Sequence, residues 1–143
     1  MTAALLDINV LIALVDPDHA DHLRVHAWAA DGLSHGWASC AITENGFVRI
    51  LSQPAYPAEV TVNQAVALLR DSAANVRHQF WPCDISVLDS DVVASEALLG
   101  HRQITDAYLL ALAVHHGGRL VTLDRSVPLA TVPGATDRHL VVL

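Results

Sequence analysis

Short apolar runs alternate with longer amphipathic stretches along the chain, and this pattern predicts strands and helices in turn. Residues 3–6 form an apolar run that suits a buried strand. Residues 105–115 are apolar on all sides of a helix, which predicts a largely buried helix. The other predicted helices span residues 8–15, 19–30, 42–51, 62–74 and 87–99. The other predicted strands span residues 37–40, 79–81, 119–123 and 139–143.

Such alternation is typical of an α/β fold with a parallel sheet and helices on both faces. No repeat or linker interrupts the pattern, so residues 1–143 are expected to form a single domain. In open sheets of this kind, the ligand site lies outside the carboxyl ends of the strands. Two of the predicted strands end in an aspartate at that edge, namely at Asp7 and Asp124.

Composition and charge exclude several functional classes. The 143 residues carry 15 acidic and 8 basic side chains, and every basic one is an arginine. The absence of lysine excludes Walker-type phosphate loops, Schiff-base enzymes and ordinary kinases. A net charge of −7 argues against capture of nucleic acid by a generally basic surface. The longest apolar run, residues 107–114, is too short to span a bilayer, so no membrane partner and a cytoplasmic location are expected.

Cysteine and histidine positions do not predict a metal site. Cys40 and Cys83 lie in apolar surroundings without the spacing of a metal or redox pair, so both are expected to be buried free thiols. His19, His22 and His26 share one side of a helix, but cysteine or carboxylate partners at zinc spacing are missing. The pair of residues 115–116 suits the end of a helix, where a positive charge is favoured.

Four carboxylates occupy positions where an acidic side chain is unexpected. Asp7 and Asp124 each follow an apolar strand, and Asp106 directly precedes the apolar run of a buried helix. Glu44 shares the expected core-facing side of its helix with Phe47. Ordinary explanations exist for each: Asp7 as a helix cap, Asp106 as an acid in the first turn of a helix, Asp124 as a turn residue, and Glu44 on a displaced helix.

A partly buried carboxylate costs several kcal/mol unless it is paired or neutralised. No arginine flanks the four acids on the appropriate side, and Arg49 lies across the helix from Glu44. The simplest interpretation is that the four carboxylates meet at the carboxyl edge of the sheet and hold a divalent cation. Mg²⁺ prefers hard oxygen ligands of this type.

Four segments containing these acids resemble the motifs of PIN-domain nucleases, in the order of that family. They are DINVLI at residues 7–12, TENGFVR at 43–49, TDA at 105–107 and VTLD at 121–124. The resemblance covers nearly the whole chain. It is closest to the VapC branch, the toxins of bacterial toxin–antitoxin pairs, which the spacing of His19 and His22 also resembles.

The resemblance implies an endoribonuclease that depends on Mg²⁺ or Mn²⁺ and leaves 5′-phosphate and 3′-hydroxyl ends. Catalysis and metal binding are assigned to Asp7, Glu44, Asp106 and Asp124. Asp7 and Asp106 are expected to bind a metal directly, and the other two acids to bind a second metal or metal-bound waters. Asn9 and Thr105 are expected to support Asp7 and Asp106.

The resemblance also implies a sheet with strand order 3-2-1-4-5, a homodimer, and inhibition by a small DNA-binding antitoxin of the VapB type. RNA must still be attracted to an acidic chain. The candidates for phosphate contacts are Arg24, Arg49, Arg102, Arg119 and Arg125. Arg49 and Arg125 lie nearest the four acids in sequence and are the residues expected to contact RNA or antitoxin.

Rival interpretations share the expected fold. A haloacid dehalogenase-type phosphatase requires a second aspartate where Asn9 stands, and both it and a phosphoacceptor receiver domain require a lysine that the chain lacks. The remaining alternative is a catalytically silent PIN-like module that binds RNA or protein. The presence of all four acids argues against this alternative.

Overall fold

The computed structural model describes residues 2–75 and 77–143, which form five strands and five α-helices. The strands are β1 (Ala4–Leu6), β2 (Trp37–Ser39), β3 (His78–Phe80), β4 (Arg119–Thr122) and β5 (Leu140–Val142). The helices are α1 (Ile8–Val15), α2 (His22–Gly32), α3 (Ala41–Leu51), α4 (Val62–Ala73) and α5 (Ile104–His115). Helix α2 begins three residues later than the sequence pattern predicted.

The sheet confirms the expected topology. Its strand order is β3-β2-β1-β4-β5, and all four strand pairings are parallel. The central strand, β1, aligns Leu5 with Ala38 on one side and with Leu120 on the other. Because all strands run in one direction, their carboxyl ends lie at one edge of the sheet.

Each face of the sheet is covered by its own hydrophobic core, as the alternation of side chains along a strand requires. Leu5 points to the face covered by α5 and packs in a cluster with Leu109 and Leu112. Ala4 and Leu6 point to the opposite face, where α1, α2, α3 and α4 contribute to the second cluster. Helices on both faces are therefore confirmed.

Helix α5 is the buried helix that the sequence pattern predicted. All seven residues from Ala107 to Ala113 are buried. Its first turn lies beside the carboxyl ends of β1 and β4, because the helix connects back antiparallel to the strands. Among the helices of the described ranges, none is both long and apolar enough to cross a membrane.

The prediction of a helix over residues 87–99 is wrong. Leu88 and Leu99, which one side of such a helix would carry toward the core, are 92% and 90% exposed, and Val93 is buried instead. The backbone forms turns followed by one short 3₁₀ turn at Ser95–Ala97. Ser86 and Asp89 side chains accept hydrogen bonds from backbone amides two residues later. Such local bonds compete with helical hydrogen bonding, which explains the difference.

The expectation for the two cysteines is confirmed for one and wrong for the other. Cys40 is fully buried at the start of α3, and burial raises the pKa of its thiol. Cys83 is exposed in the segment that follows β3. Its apolar neighbour Trp81 is buried, but Pro82, Cys83 and Asp84 are all exposed.

Gly118 allows the start of β4 to approach β1 and Trp81. A Cβ atom at this position would lie 2.6 Å from the Ala3 carbonyl oxygen and would overlap the Trp81 ring.

Gly118→Ala is therefore expected to lower the free energy of unfolding by about 1–3 kcal/mol, since backbone must shift to relieve the overlap. Urea unfolding measures this change. Gly100→Ala is the matched control, because nothing lies within 4 Å of a Cβ atom there. Equal stability of the two variants would contradict the prediction.

Candidate active site

Asp7 stands at the junction of β1 and α1 and is 6% exposed. It is the N-cap of α1, and its Oδ1 accepts a hydrogen bond of 2.7 Å from the Ile8 amide. Its Oδ2 accepts a bond of 2.7 Å from the Thr122 hydroxyl. Burial nevertheless raises the pKa of Asp7, against the opposite effect of these two hydrogen bonds. Both oxygens are thus held in fixed directions in a largely desolvated position.

Thr122 links the ends of β1 and β4. The register pairs Leu6 with Val121, so the next residues along the two strands, Asp7 and Thr122, become neighbours. While donating to Asp7, the Thr122 hydroxyl accepts hydrogen bonds from the Asp124 amide (3.0 Å) and from Asn9 Nδ2 (3.4 Å). Asn9 therefore acts on Asp7 through Thr122 rather than directly.

Thr122 was not singled out in the sequence, although it is fully buried and central to the site. The available signal was a hydroxyl residue inside an otherwise apolar strand, two positions before Asp124. A buried hydroxyl requires hydrogen-bond partners, and here those partners belong to the site.

Asp106 enters the site from the first turn of α5 and is partly buried. Its pKa is raised to about 6, chiefly by desolvation and further by the negative charges of Asp7 and Asp124. The proximity of Asp124 thus favours the protonated form of Asp106, whereas the pKa of Asp124 itself is lowered. Two carboxyl groups this close are expected to hold one proton between them when no cation is bound.

Asp124 reaches the same place from the turn after β4. Its Oδ1 accepts hydrogen bonds from the Ser126 amide (2.8 Å) and hydroxyl (2.6 Å), and these bonds lower its pKa. The ordinary explanations considered for the three aspartates are thus all realised: Asp7 caps a helix, Asp106 lies in a first turn and Asp124 closes a turn. What those local roles do not explain is the convergence of three carboxyl groups at one edge.

The three converging carboxyl groups match the requirements of a hard divalent cation. Their donors are all oxygen, which suits Mg²⁺ or Mn²⁺ better than a softer metal. Mutual repulsion and burial favour protonation of Asp106, so a cation would relieve an unfavourable concentration of negative charge. Asp7, Asp106 and Asp124 are accordingly the residues that could hold such an ion.

Glu44 occupies a different position from the one that its sequence pattern predicted. The core-facing residues of α3 include Thr43, Gly46 and Phe47, whereas Glu44 is only partly buried. Its Oε2 accepts a hydrogen bond of 2.6 Å from the Ser39 hydroxyl, which also lies 2.8 Å from His78 Nε2. Glu44 remains at the carboxyl edge of the sheet, in the first turn of α3, but its carboxylate faces β2 and β3.

The buried side of α3 therefore differs from the one expected to include Glu44. Phe47 and Leu51 are buried, whereas Val48 is only partly buried. Gly46 has no apolar side chain to mark it as a core residue, yet it is buried and packs directly against Ile8. Gly46 thus belongs to the buried side of α3, although the apolar pattern of the sequence does not include it.

The arginines divide into structural and exposed groups. Arg119 is a structural residue, since it is buried and donates to the carbonyls of Thr2 and Gly32 at 2.8 and 2.7 Å. Arg24 pairs with Asp21 on the surface. The other three candidates, Arg49, Arg102 and Arg125, are exposed.

Arg70 is a further arginine near the acids that was not among the predicted phosphate contacts. It lies on α4 and lines a groove between α3 and α4 together with Glu44 and Asn45. Thr105 is exposed beside Asp106. Asn9 makes hydrogen bonds to Thr122 and to the Leu123 amide within the site. Thr105 takes part in none of the site hydrogen bonds described above.

Comparison with known proteins identifies the family. The PIN domain family profile matches residues 4–132. The chain is 54% identical over 140 residues to ribonuclease VapC44 of Mycobacterium tuberculosis, a match that covers 98% of this chain and 99% of that protein. The chain belongs to the VapC family of PIN-domain proteins. The resemblance of the four motifs to this family is thereby confirmed.

Other relatives agree with this membership. This VapC-family chain is 40% identical over 136 residues to ribonuclease VapC39 of Mycobacterium tuberculosis, covering 94% of the chain and 97% of that protein. Among solved structures, VapBC2 from Rickettsia felis, bound to a DNA fragment from its promoter, aligns with a TM-score of 0.59 and 12% identity. That alignment covers 99% of this chain and 97% of the other, and it supports the shared fold.

The charge on Asp106 is expected to destabilise the metal-free protein above pH 6. Its folded pKa of about 6 exceeds the ordinary value of 3.8, so the folded state binds more protons between these values and stability falls as the pH rises through them. Asp106→Asn removes this penalty. In EDTA at pH 7.5 we expect a gain of about 1 kcal/mol in unfolding free energy, reduced by solvent screening, and a smaller gain at pH 4.5.

Urea unfolding at the two pH values measures this difference. Asp71→Asn, on the exposed surface of α4, controls for the loss of one negative charge from the protein. A gain at pH 4.5 equal to that at pH 7.5 would contradict the assigned charge effect.

Thr122 is expected to position Asp7 through its hydroxyl group. Thr122→Val keeps the volume but removes the donor to Asp7 and the acceptor of the Asp124 amide, so a loss of about 1–3 kcal/mol in unfolding free energy is expected. Thr122→Ser retains the hydroxyl and should keep most of the hydrogen bonding. Urea unfolding of the two variants provides the comparison, and a serine variant no more stable than the valine variant would overturn this role.

Proposed function

We propose that this chain is a metal-dependent endoribonuclease and the toxin of a type II toxin–antitoxin pair. The observation that carries the proposal is the convergence of Asp7, Asp106 and Asp124 at the carboxyl edge of the sheet. Membership of the VapC family, whose relatives are named ribonucleases, supports the same reaction class. Divalent metals are used generally by PIN-domain nucleases, and the oxygen donors of this site suit Mg²⁺ or Mn²⁺.

The proposed mechanism assigns a distinct task to each residue. Asp7 and Asp106 would hold the ion, and Asp124 would hold a second ion or orient water. Glu44, whose carboxylate faces β2 and β3, would orient water from the rim of the site. When bound, Mg²⁺ or Mn²⁺ supplies an activated water and positive charge to offset that of the phosphate. Thr122 and the Ile8 amide fix the two oxygens of Asp7 in advance, which lowers the cost of organising the site during the reaction.

Supporting roles follow from the hydrogen bonds. Asn9 stabilises the end of β4 through two hydrogen bonds. It donates one to the Thr122 hydroxyl and accepts the other from the Leu123 amide at 3.3 Å. Thr105 lies in the first turn of α5 beside Asp106 and is assigned to water or substrate contact because it is exposed. Ser39 and His78 hold Glu44 at the rim of the site.

RNA contacts are assigned to exposed arginines around the acidic edge. Arg49 follows Glu44 on α3, and Arg125 follows Asp124 in the turn after β4. Arg70 adds a positive charge to the groove that contains Glu44. A homodimer would double these charges, which suits an acidic chain that must bind a polyanion.

A small DNA-binding antitoxin of the VapB type is the proposed protein partner, and the cytoplasm is the proposed location. Arg49 and Arg125 are exposed near the carboxylates and could contact an antitoxin as well as RNA. A short neighbouring reading frame that encodes a DNA-binding protein would support this partner. A solitary gene would favour a housekeeping nuclease instead.

Cleavage of RNA by the purified chain tests the proposed activity. In Mg²⁺ we expect fragments with 5′-phosphate ends, and either EDTA or Asp7→Asn should reduce the rate on the order of 100-fold or more. Asparagine is also a good helix cap, so Asp7→Asn should retain α1. Glu96→Gln, an exposed acid outside the site, is the matched control and should cleave normally.

Two outcomes would reject the metal-dependent nuclease. Cleavage that survives both EDTA and Asp7→Asn would indicate a contaminating or metal-independent activity. RNA binding without cleavage in Mg²⁺ and in Mn²⁺ would favour the alternative of a catalytically silent PIN-like binding module.

A further inference from the structure

A second group of metal-ligating side chains lies at the other end of α5. It consists of Asp84, His115 and His116, and we call it the His–Asp cluster. His115 is the last residue of α5, His116 follows it, and Asp84 belongs to the segment after β3. His115 lies nine residues beyond Asp106, which places the two about 14 Å apart along the helix. The His–Asp cluster is therefore separate from the carboxylates proposed for catalysis.

The donor atoms of the cluster converge on one point. The Oδ1 atom of Asp84 lies 3.2 Å from His115 Nε2 and 3.4 Å from His116 Nε2, and the three ligand atoms are all within 4.8 Å of one another. A tetrahedral zinc ion with bonds of about 2.0–2.1 Å separates its ligands by roughly 3.4 Å. Both separations lie close to such an edge, and they lie at and beyond the upper end of the usual range of N–H···O hydrogen bonds.

We propose that the His–Asp cluster binds a divalent transition-metal ion of the zinc class. Two imidazoles and one carboxylate form a donor set suited to Zn²⁺ and its neighbours rather than to Mg²⁺. The set differs in chemistry from the three aspartates, so the two sites select different ions. Three protein ligands leave one coordination position for water.

One side of the cluster is rigid before any ion binds. The buried ring of Trp81 stacks on His116, with ring centres 4.8 Å apart and an angle of 19° between the planes. His116 Nε2 also lies 3.1 Å from the Pro82 carbonyl oxygen. Coordination through Nε2 requires the neutral ring with its proton on Nδ1, so an ion would replace the contact of His116 Nε2 with the Pro82 oxygen. A ring that is neutral beforehand moves its proton from Nε2 to Nδ1, and a doubly protonated ring loses its Nε2 proton to solvent.

A bound ion would link two distant parts of the chain. Asp84 and His115 are 31 residues apart in sequence. The segment joining β3 to α5 has little regular structure, as its short 3₁₀ turns show. Coordination would attach the beginning of this segment to the end of the buried helix α5. The structural consequence is stabilisation of the fold by any ion that binds the folded state alone.

An ordinary ion pair is the competing explanation of the cluster. The side chains of Asp84 and His115 are 49% and 44% exposed, and exposed pairs contribute little to stability. Histidines at a helix end can also carry a charge favoured by the helix dipole. Metal binding distinguishes these cases, because an ion pair loses nothing when a chelator is added.

Calorimetric titration of Zn²⁺ into the full chain tests the site. The background carries Asp7→Asn and Asp106→Asn so that the catalytic carboxylates do not compete, and the protein is first treated with EDTA. We expect one Zn²⁺ per chain, together with a rise in thermal unfolding temperature. Asp84→Asn and His115→Gln should each weaken binding at least tenfold and abolish the rise.

His101→Gln is the matched control, since His101 is an exposed histidine outside the cluster, and it should bind Zn²⁺ as the background does. Variants of His116 are avoided as the main test because its ring packs on Trp81. Zn²⁺ binding that is unaffected by Asp84→Asn and His115→Gln, or no stoichiometric binding at all, would show only an ion pair and overturn the proposal. RNA cleavage is not a readout of this test, so its result is independent of the proposed nuclease activity.

Discussion

The concentration of negative charge at the carboxyl edge of the sheet is the constraint on which the site depends. Asp7 is almost completely buried, and Asp106 and Asp124 add two carboxyl groups beside it. Charged groups in such a place must be neutralised or hydrogen-bonded. The chain does this with the Ile8 amide and Thr122 at Asp7, Ser126 at Asp124 and a raised pKa at Asp106. A cation is the remaining means of compensation.

The two-sided core explains why these carboxyl groups stay together. β1 is the central strand and is covered on both faces, so the position of Asp7 is determined by packing on either side. Its neighbour β4 is locked in register, and the Asp7 amide donates to the Val121 carbonyl at 3.0 Å. Asp106 is fixed separately by the buried body of α5. Burial and the neighbouring negative charges therefore raise the pKa of Asp106 within a backbone that packing holds in place.

Much of this arrangement could be predicted because it follows from local patterns. Apolar runs and their spacing predicted the strands and all five α-helices. The unusual placement of four acids led to the expectation of a shared site, and Asp7, Asp106 and Asp124 lie near one another at the edge where it was expected. The failures occurred where the pattern was ambiguous. Residues 87–99 had the spacing of a helix, but side chain-to-backbone hydrogen bonds formed turns instead. For Glu44, a glycine at the contact of α3 with Ile8 altered which side of the helix faces the core.

The sequence by itself determined the order of the elements, the α/β class and the oxygen-rich chemistry of the site, since burial periodicity and residue type are local properties. Only the tertiary structure decided which side chains meet. Thr122 reaches Asp7 across 115 positions because of strand register, and Arg119 became structural because it reaches the Thr2 and Gly32 carbonyls. Asp84 likewise meets His115 and His116 because Trp81 and Ile85, on either side of it in sequence, pack in the same core as α5. Such contacts depend on long-range packing, which no local pattern encodes.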